Sequence, residues 1–166
     1  MGVGRIDPDV NLLASGKVLI SGGGVDAFTA TNTAELYDPA TGTFSPTASM
    51  AVARIGSSST VLSDGRVLVA GGASGTFNSP VASSTLYNPD GGIDHTGSFT
   101  GGVPMLTARS NASMVRLPED RVLIAGGQNT FMNYYNSAEI WTPTTTNVAT
   151  GSMSVAHVKG VTSLLT

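Results

Sequence analysis

The apolar positions of this chain recur as short runs that each end in a pair of glycines. The runs are residues 18–21, 67–70 and 122–125, and the pairs that follow them are Gly22-Gly23, Gly71-Gly72 and Gly126-Gly127. A polar turn precedes each run, and in the second copy it contains Asp64-Gly65. Because Asp-Gly accepts the positive φ angles of a two-residue hairpin turn, the pattern predicts a β-hairpin whose second strand is buried.

The second copy shows the elements of one repeat most clearly. We expect its first to fourth strands at 57–62, 66–71, 83–88 and 98–100, with 105–109 crossing to the next repeat. The other two units carry the same parts in the same order. A unit of roughly 50 residues that contains strands and no helices is typical of a β-propeller, in which each repeat is a four-stranded blade.

Aromatic residues on the predicted third strands complete a recognisable motif. They are Tyr37, Tyr87 and Trp141, and a large residue follows seven positions later in two units, Phe44 and Val148. The second unit inserts residues 91–95, which moves its large residue to Phe99. A double glycine that ends a strand, followed by this aromatic spacing, resembles kelch repeats over the whole chain. The resemblance implies an all-β fold of three four-stranded antiparallel kelch-type blades, at approximately 1–49, 50–104 and 105–152.

Three blades do not close a ring, because propellers have about four to eight. Residues 1–6 align with 50–55, and 153–158 align with both, so 153–166 are predicted to add an extra innermost strand. Residues 6–13 and 158–165 then compete for the innermost position of blade one, and Pro8 in the first copy favours the second. Either two chains close a six-bladed ring, or the chain is a section of a longer propeller. The sequence leaves both alternatives open.

One face of the predicted propeller collects the candidate binding residues. The crossings end in Arg5, Arg54, Arg109 and His157, and the loops between second and third strands contribute Phe28, Phe77, Asn78, Gln128, Phe131 and Tyr134. Cations ringed by aromatic and amide groups suit an acidic peptide, a carboxylated sugar or another anion. Arg54 and Arg109 also resemble arginines that kelch adaptors present to acidic peptides. In the alternative interpretation, the arginines hold neighbouring blades together by pairing with Glu35 or Glu139.

Composition excludes several classes of function. The chain has 11% charged residues and a net charge of −3, which gives no electrostatic case for binding nucleic acid or an anionic membrane. No apolar run approaches the roughly 18 residues that span a bilayer, and no signal peptide is recognisable within this chain. The absence of cysteine excludes disulfides and the Cys-linked tyrosine radical of galactose-oxidase-like kelch enzymes. The sequence of the repeats resembles that of bacterial kelch proteins, which are often located at the cell surface. The resemblance does not decide between a surface or extracellular location and a cytoplasmic one.

No metal or cofactor site is predicted. Asp7, Asp9 and Asn11 begin like a calcium loop, but Leu12 stands where the loop needs glycine and Val18 where it needs glutamate. His95 and His157 lie in different blades, without a partner at zinc-ligand spacing.

The leading functional prediction is a non-catalytic binding module that presents the loop face to a peptide, glycan or protein ligand. The alternatives are a carbohydrate-active kelch enzyme resembling the sialate mutarotases and a purely structural assembly protein. The enzyme would place Arg54, Arg109 and either Glu35 or Glu139 at an anionic sugar, and it needs a carboxylate beside the arginines at the mouth of the site. Whether the chain is an enzyme is left open at this point.

Overall fold

A computed structural model of the chain describes residues 2–75, 79–130, 133–144 and 146–158. The strands are β1 Asp9–Leu12, β2 Val18–Ser21, β3 Ala34–Asp38, β4 Thr43–Pro46, β5 Ser58–Val61, β6 Val67–Ala70, β7 Ser84–Asn88, β8 Ser98–Gly101, β9 Ser113–Arg116, β10 Val122–Ala125, β11 Gln128–Thr130, β12 Asn133–Tyr134, β13 Ala138–Trp141 and β14 Val148–Thr150. Two 3-10 turns, Ile93–His95 and Pro118–Asp120, are the only helical segments of this described part. None of its helices is long and apolar enough to cross a membrane.

The strands form three four-stranded antiparallel sheets, which are the blades. Blade one has the order β1-β2-β3-β4, blade two β5-β6-β7-β8, and blade three β9-β10-β13-β14. The short hairpin β11–β12 lies in the loop between the second and third strands of blade three. The expectation of an all-β fold made of kelch-type blades is confirmed.

The aromatic spacing of the repeat corresponds to a cross-strand pair. Tyr37 lies opposite Phe44, with ring centroids 4.8 Å apart, and Tyr87 lies opposite Phe99 at 4.9 Å. The insertion in blade two therefore leaves this pair intact, because it is accommodated in the turn before β8. Thr47 of blade one donates a 2.5 Å hydrogen bond to the carbonyl of Thr96 beside this turn, so the insertion also connects the two blades.

The hydrophobic core lies between the blades. Leu13, Leu19, Met50, Val67, Val69 and Tyr87 pack between blades one and two, and Leu62, Leu68, Leu86, Met105, Val122, Ile124 and Trp141 pack between blades two and three. Every residue of β6 is consequently buried, because blade two has a neighbour on each side. In β1, by contrast, Val10 and Leu12 are 61% and 66% exposed. Full burial of the second strand, expected for the second repeat, is observed in β6, whereas β2 and β10 each include half-buried residues.

The innermost position of blade one is occupied by β1, which pairs with β2. That the C-terminal copy of a partner chain or of a following blade takes this position stays a prediction. Pro8 precedes the first residue of β1, so its missing N–H removes no hydrogen bond from the ladder. Residues 153–158 are described without a strand, and the rest of the extra strand expected at 158–165 lies outside the described residues.

Candidate functional site

The arginine at the end of each crossing connects two successive blades. The main-chain carbonyl of Arg54 accepts a 2.8 Å hydrogen bond from the N–H of Gly23 in blade one. Its guanidinium enters blade two, where Nη1 donates to the carbonyls of Gly71 at 2.7 Å and Ser83 at 2.8 Å, and Nη2 donates to Ser83 Oγ at 2.8 Å. The residue is 2% exposed. Arg54 is therefore a clamp across the blade interface.

The same clamp recurs in blade three. Nη1 of Arg109 donates to the carbonyls of Gly126 at 2.6 Å and Ser137 at 3.1 Å, and the residue is 1% exposed. The ring of Tyr135 lies 5.1 Å from this guanidinium, within the range of a cation–π contact. The contacts of Arg54 and Arg109 therefore agree with the interpretation that these arginines hold neighbouring blades together.

In blade one, Arg5 makes the equivalent contacts within the blade. Its Nη1 donates to the carbonyls of Gly22 at 2.9 Å and Thr33 at 3.0 Å. The three guanidinium groups therefore do not project from the loop face as expected. Their contribution to ligand binding stays a prediction.

In two of the three blades, a glutamate on the third strand lies beside the arginine. Glu35 Oε2 lies 3.5 Å from Nη2 of Arg5. Burial raises the pKa of Glu139, whereas hydrogen bonding by the N–H of Leu106 and the charge of Arg109 lower it. The pairing expected with Glu35 is present, and Glu139 is electrostatically coupled to Arg109.

Blade two lacks this glutamate. Thr85 occupies its register position, and within the described residues Arg54 forms no ion pair. Burial lowers the pKa of Arg54 to about 10, and the charge of Asp9 opposes this shift. A cleft of about 330 Å³ opens beside the guanidinium, with Thr85, Phe99 and Pro104 in its wall. The sequence signal for this cleft is the threonine at a position where the other repeats have glutamate, and our sequence reasoning did not use it.

A second polar cluster lies where the innermost strands of the three blades approach one another. Burial raises the pKa of Asp9, while hydrogen bonds from Ser57 and Ser59 lower it. Asn11 Nδ2 donates to Ser59 Oγ at 2.8 Å, and Ser58 Oγ donates to the carbonyl of Ala112 at 2.6 Å. The residues that began like a calcium loop therefore join blades one and two. The described part of the chain contains no group of three or more side chains that could hold a metal ion.

The loop residues of the predicted face are only partly described. Phe28 is 74% exposed at a loop tip, and Tyr134 on β12 is 45% exposed. Gln128 begins β11, and its main chain exchanges hydrogen bonds with Ser110. His157 is exposed, and its carbonyl accepts a 2.8 Å hydrogen bond from the N–H of Gly127. Phe77, Asn78 and Phe131 lie outside the described residues.

Likeness to solved structures agrees with a kelch-like β-propeller fold. The chain resembles the protein YjhT with a TM-score of 0.81 and 12% identity, over 97% of this chain and 59% of that one. It resembles a fungal alcohol oxidase of the AA5 family, solved in complex with copper, with a TM-score of 0.62 and 14% identity, over 94% of this chain and 45% of that one. The chain thus spans less than two thirds of either neighbour. No family model matches it. No curated protein matches it either.

Proposed function

We propose that this chain is a non-catalytic binding module that presents the loop-bearing face of its blades to a peptide, glycan or protein ligand. The observation that carries the proposal is the geometry of Phe28. Asp26 Oδ1 accepts hydrogen bonds from the main-chain N–H groups of Phe28 at 2.7 Å and Thr29 at 2.8 Å, which hold the loop tip. An exposed aromatic ring on a held loop provides contact area at low entropic cost.

Tyr134 supplies a second exposed aromatic ring on the same face. It lies on the β11–β12 hairpin, an insertion into the corresponding loop of blade three. The arginine clamps keep the blades that carry these loops in fixed relation, because each connects to main-chain carbonyls of its blade. Rigid scaffold and variable loops together are the arrangement by which propellers bind ligands.

The test is a screen of immobilised glycans and acidic peptides with the wild-type chain, followed by variants at the loop tips. We expect Phe28→Ala and Tyr134→Ala to weaken binding of the identified ligand about tenfold without lowering the melting temperature. Ile93→Ala is the matched control, because Ile93 is 86% exposed but lies in the turn between third and fourth strands, on the opposite face. Unchanged binding by both loop variants would contradict the proposal.

A carbohydrate-active enzyme resembling the sialate mutarotases is the second candidate. The observation in its favour is Glu139, a carboxyl group with a raised pKa beside Arg109, since such a group suits proton transfer. Both residues are 1% exposed and already engaged by protein groups, which favours the binding module. If the chain is such an enzyme, it should accelerate the exchange between sialic acid anomers, which NMR measures. Glu139→Gln should then abolish the acceleration.

A further inference from the structure

The three blades provide three versions of one local arrangement, and blade three shows it complete. Glu139 projects from β13 towards the crossing that enters this blade. Its Oε2 accepts a 2.8 Å hydrogen bond from the main-chain N–H of Leu106, and the next N–H, that of Thr107, lies near enough to lower the pKa of the carboxyl group. Arg109, at the end of the same crossing, adds its positive charge. The crossing thus forms a cradle for a carboxylate, made of two successive N–H groups and an arginine.

Blade one contains the same arrangement. Glu35 on β3 has the register of Glu139, and its Oε1 accepts a 2.7 Å hydrogen bond from the N–H of Gly2. Its Oε2 lies 3.5 Å from Nη2 of Arg5. In both blades, therefore, a glutamate of the third strand accepts a hydrogen bond from a main-chain N–H at the start of the crossing and interacts with the charge of the arginine at its end.

In blade two the cradle is present and the carboxylate is missing. Ala51 and Val52 occupy the positions of Leu106 and Thr107, and within the described residues neither N–H has a protein acceptor. Thr85, at the glutamate position, donates its hydroxyl to the carbonyl of Thr100 at 2.8 Å. Arg54 is 98% buried, since it is 2% exposed, and its Nε has no hydrogen-bond partner, a feature that it shares with Arg5 and Arg109.

This unfilled cradle opens to the surface. Ala51, Val52 and Arg54 line the cleft of about 330 Å³, and Phe99 and Pro104 also contribute to its lining. This volume is at the small end of the range for small-molecule sites, about 300–1,000 Å³. Arg54 is buried and forms no ion pair among the described residues, so the more distant charge of Asp9 compensates it only in part. An anion that bound beside the guanidinium would offset the remaining cost of its burial.

We propose that this cleft binds the carboxylate of a small organic acid, which takes the place of the glutamate that blade two lacks. The carboxylate accepts from the N–H groups of Ala51 and Val52 next to Arg54, and the apolar body of the acid contacts Phe99. The site goes beyond the proposed function, because it uses none of the exposed loop-tip residues. An experiment that disproved carboxylate binding in this cleft would therefore not contradict the proposed loop-face binding module. Likewise, an experiment that disproved the loop-face module would not contradict carboxylate binding in the cleft.

The first test is a titration of the ¹⁵N-labelled wild-type chain with propionate, which has the carbon chain of a glutamate side chain. We expect saturable shifts of the Ala51 and Val52 amide signals and of the Arg54 Nε–H signal. Propionamide has the same shape without the charge, and we expect it to bind at least about tenfold more weakly. Equal responses to propionate and propionamide, or shifts spread over the surface, would overturn the proposal.

The second test supplies the missing carboxylate from the protein. Thr85→Glu should abolish the response to propionate and raise the melting temperature relative to Thr85→Gln, which has similar size and no charge. Conversely, Glu139→Ala opens the equivalent cradle in blade three, and propionate should restore part of its lost melting temperature. A Thr85→Glu variant that binds propionate as the wild type does would overturn the proposal. An acidic peptide that displaced propionate from Ala51 and Val52 would overturn the assignment to a small acid.

Discussion

At the residue scale, the geometry of the paired glycines explains why the same motif, an apolar run that ends in two glycines, recurs along the chain. Gly71 has a φ of 68°, in the left-handed region, and a Cβ there would clash with the carbonyl oxygen of Arg109. That carbonyl also accepts a 3.0 Å hydrogen bond from the N–H of Gly72. In blade one, a Cβ on Gly22 would lie 2.9 Å from the carbonyl oxygen of Arg54. Each pair thus lets the next crossing lie directly against the end of a second strand.

Replacing Gly71 by alanine should destabilise the chain more than the same change at another glycine with positive φ. Gly65 is the matched control, because its φ is 84° and a Cβ there meets nothing within 4 Å. Both changes carry a backbone cost of about 1 kcal/mol. Gly71→Ala adds the clash with Arg109, so we expect a total loss of about 3 kcal/mol in the free energy of unfolding, measured by urea denaturation. Equal losses would show that the approach of the crossing imposes no steric requirement.

At the scale of elements, the crossings fasten one blade to the next. A crossing begins with a buried methionine, as at Met50 and Met105, and ends with a buried arginine. The main chain of that arginine bonds to the glycine pair behind it, while its side chain bonds to the second and third strands ahead. Single blades lack a core of their own, because both apolar clusters lie between blades. The clamp therefore stabilises the interface in which the core is formed.

Arg109→Ala should lower the free energy of unfolding by about 3 kcal/mol, because it removes the side-chain donor to the carbonyl of Gly126 and leaves the carbonyl of Ser137 with the N–H of Gly126 alone. Arg109→Lys should recover only part of this loss, since an ammonium lacks the fork of donors that reaches both carbonyls. Arg66 pairs with Asp64 at the surface, and Arg66→Ala should cost at most about 0.5 kcal/mol. Chemical denaturation monitored by Trp141 fluorescence measures all three variants. Similar losses for Arg109→Ala and Arg66→Ala would contradict the clamp.

At the scale of the whole molecule, the two terminal blades expose faces of complementary type. Val10, Leu12 and Phe44 stand on the open face of blade one, at the positions where blade two uses Ser59, Val61 and Phe99 against blade one. Leu123 and Ile140 of blade three stand at the positions of Leu19 and Leu36, which receive blade two. The open face of blade one therefore has the pattern that fits the open face of blade three.

From this complementarity we expect two chains to close a six-bladed ring. Light scattering should give twice the chain mass of 16.8 kDa, and Leu12→Arg should shift the chain to a monomer. Ile93→Arg introduces the same charge at an exposed apolar residue away from both faces and should leave the dimer intact. A wild-type chain that stays monomeric at high concentration would contradict closure by a second copy and would favour a longer propeller.

The sequence by itself determined the blades, because their causes are local and repeated. Apolar runs, turn residues and glycine pairs each act within a few positions, so periodicity alone revealed the four strands and their order. It also placed Arg54 and Arg109 at one register position, and it identified Tyr87 and Phe99 as equivalent to Tyr37 and Phe44 despite the insertion.

Only the tertiary structure decided the direction in which the arginine side chains point and what they contact. A charged residue at a loop end has the same sequence pattern whether it faces solvent or enters the next blade, and the choice depends on carbonyls of strands distant in sequence. The empty carboxylate cradle of blade two became visible for the same reason. In the sequence, Thr85 is only a different residue type at the position of Glu35 and Glu139. The cradle can be recognised only in the folded chain, because folding brings the N–H groups of the crossing and the arginine together around the position that lacks a carboxylate.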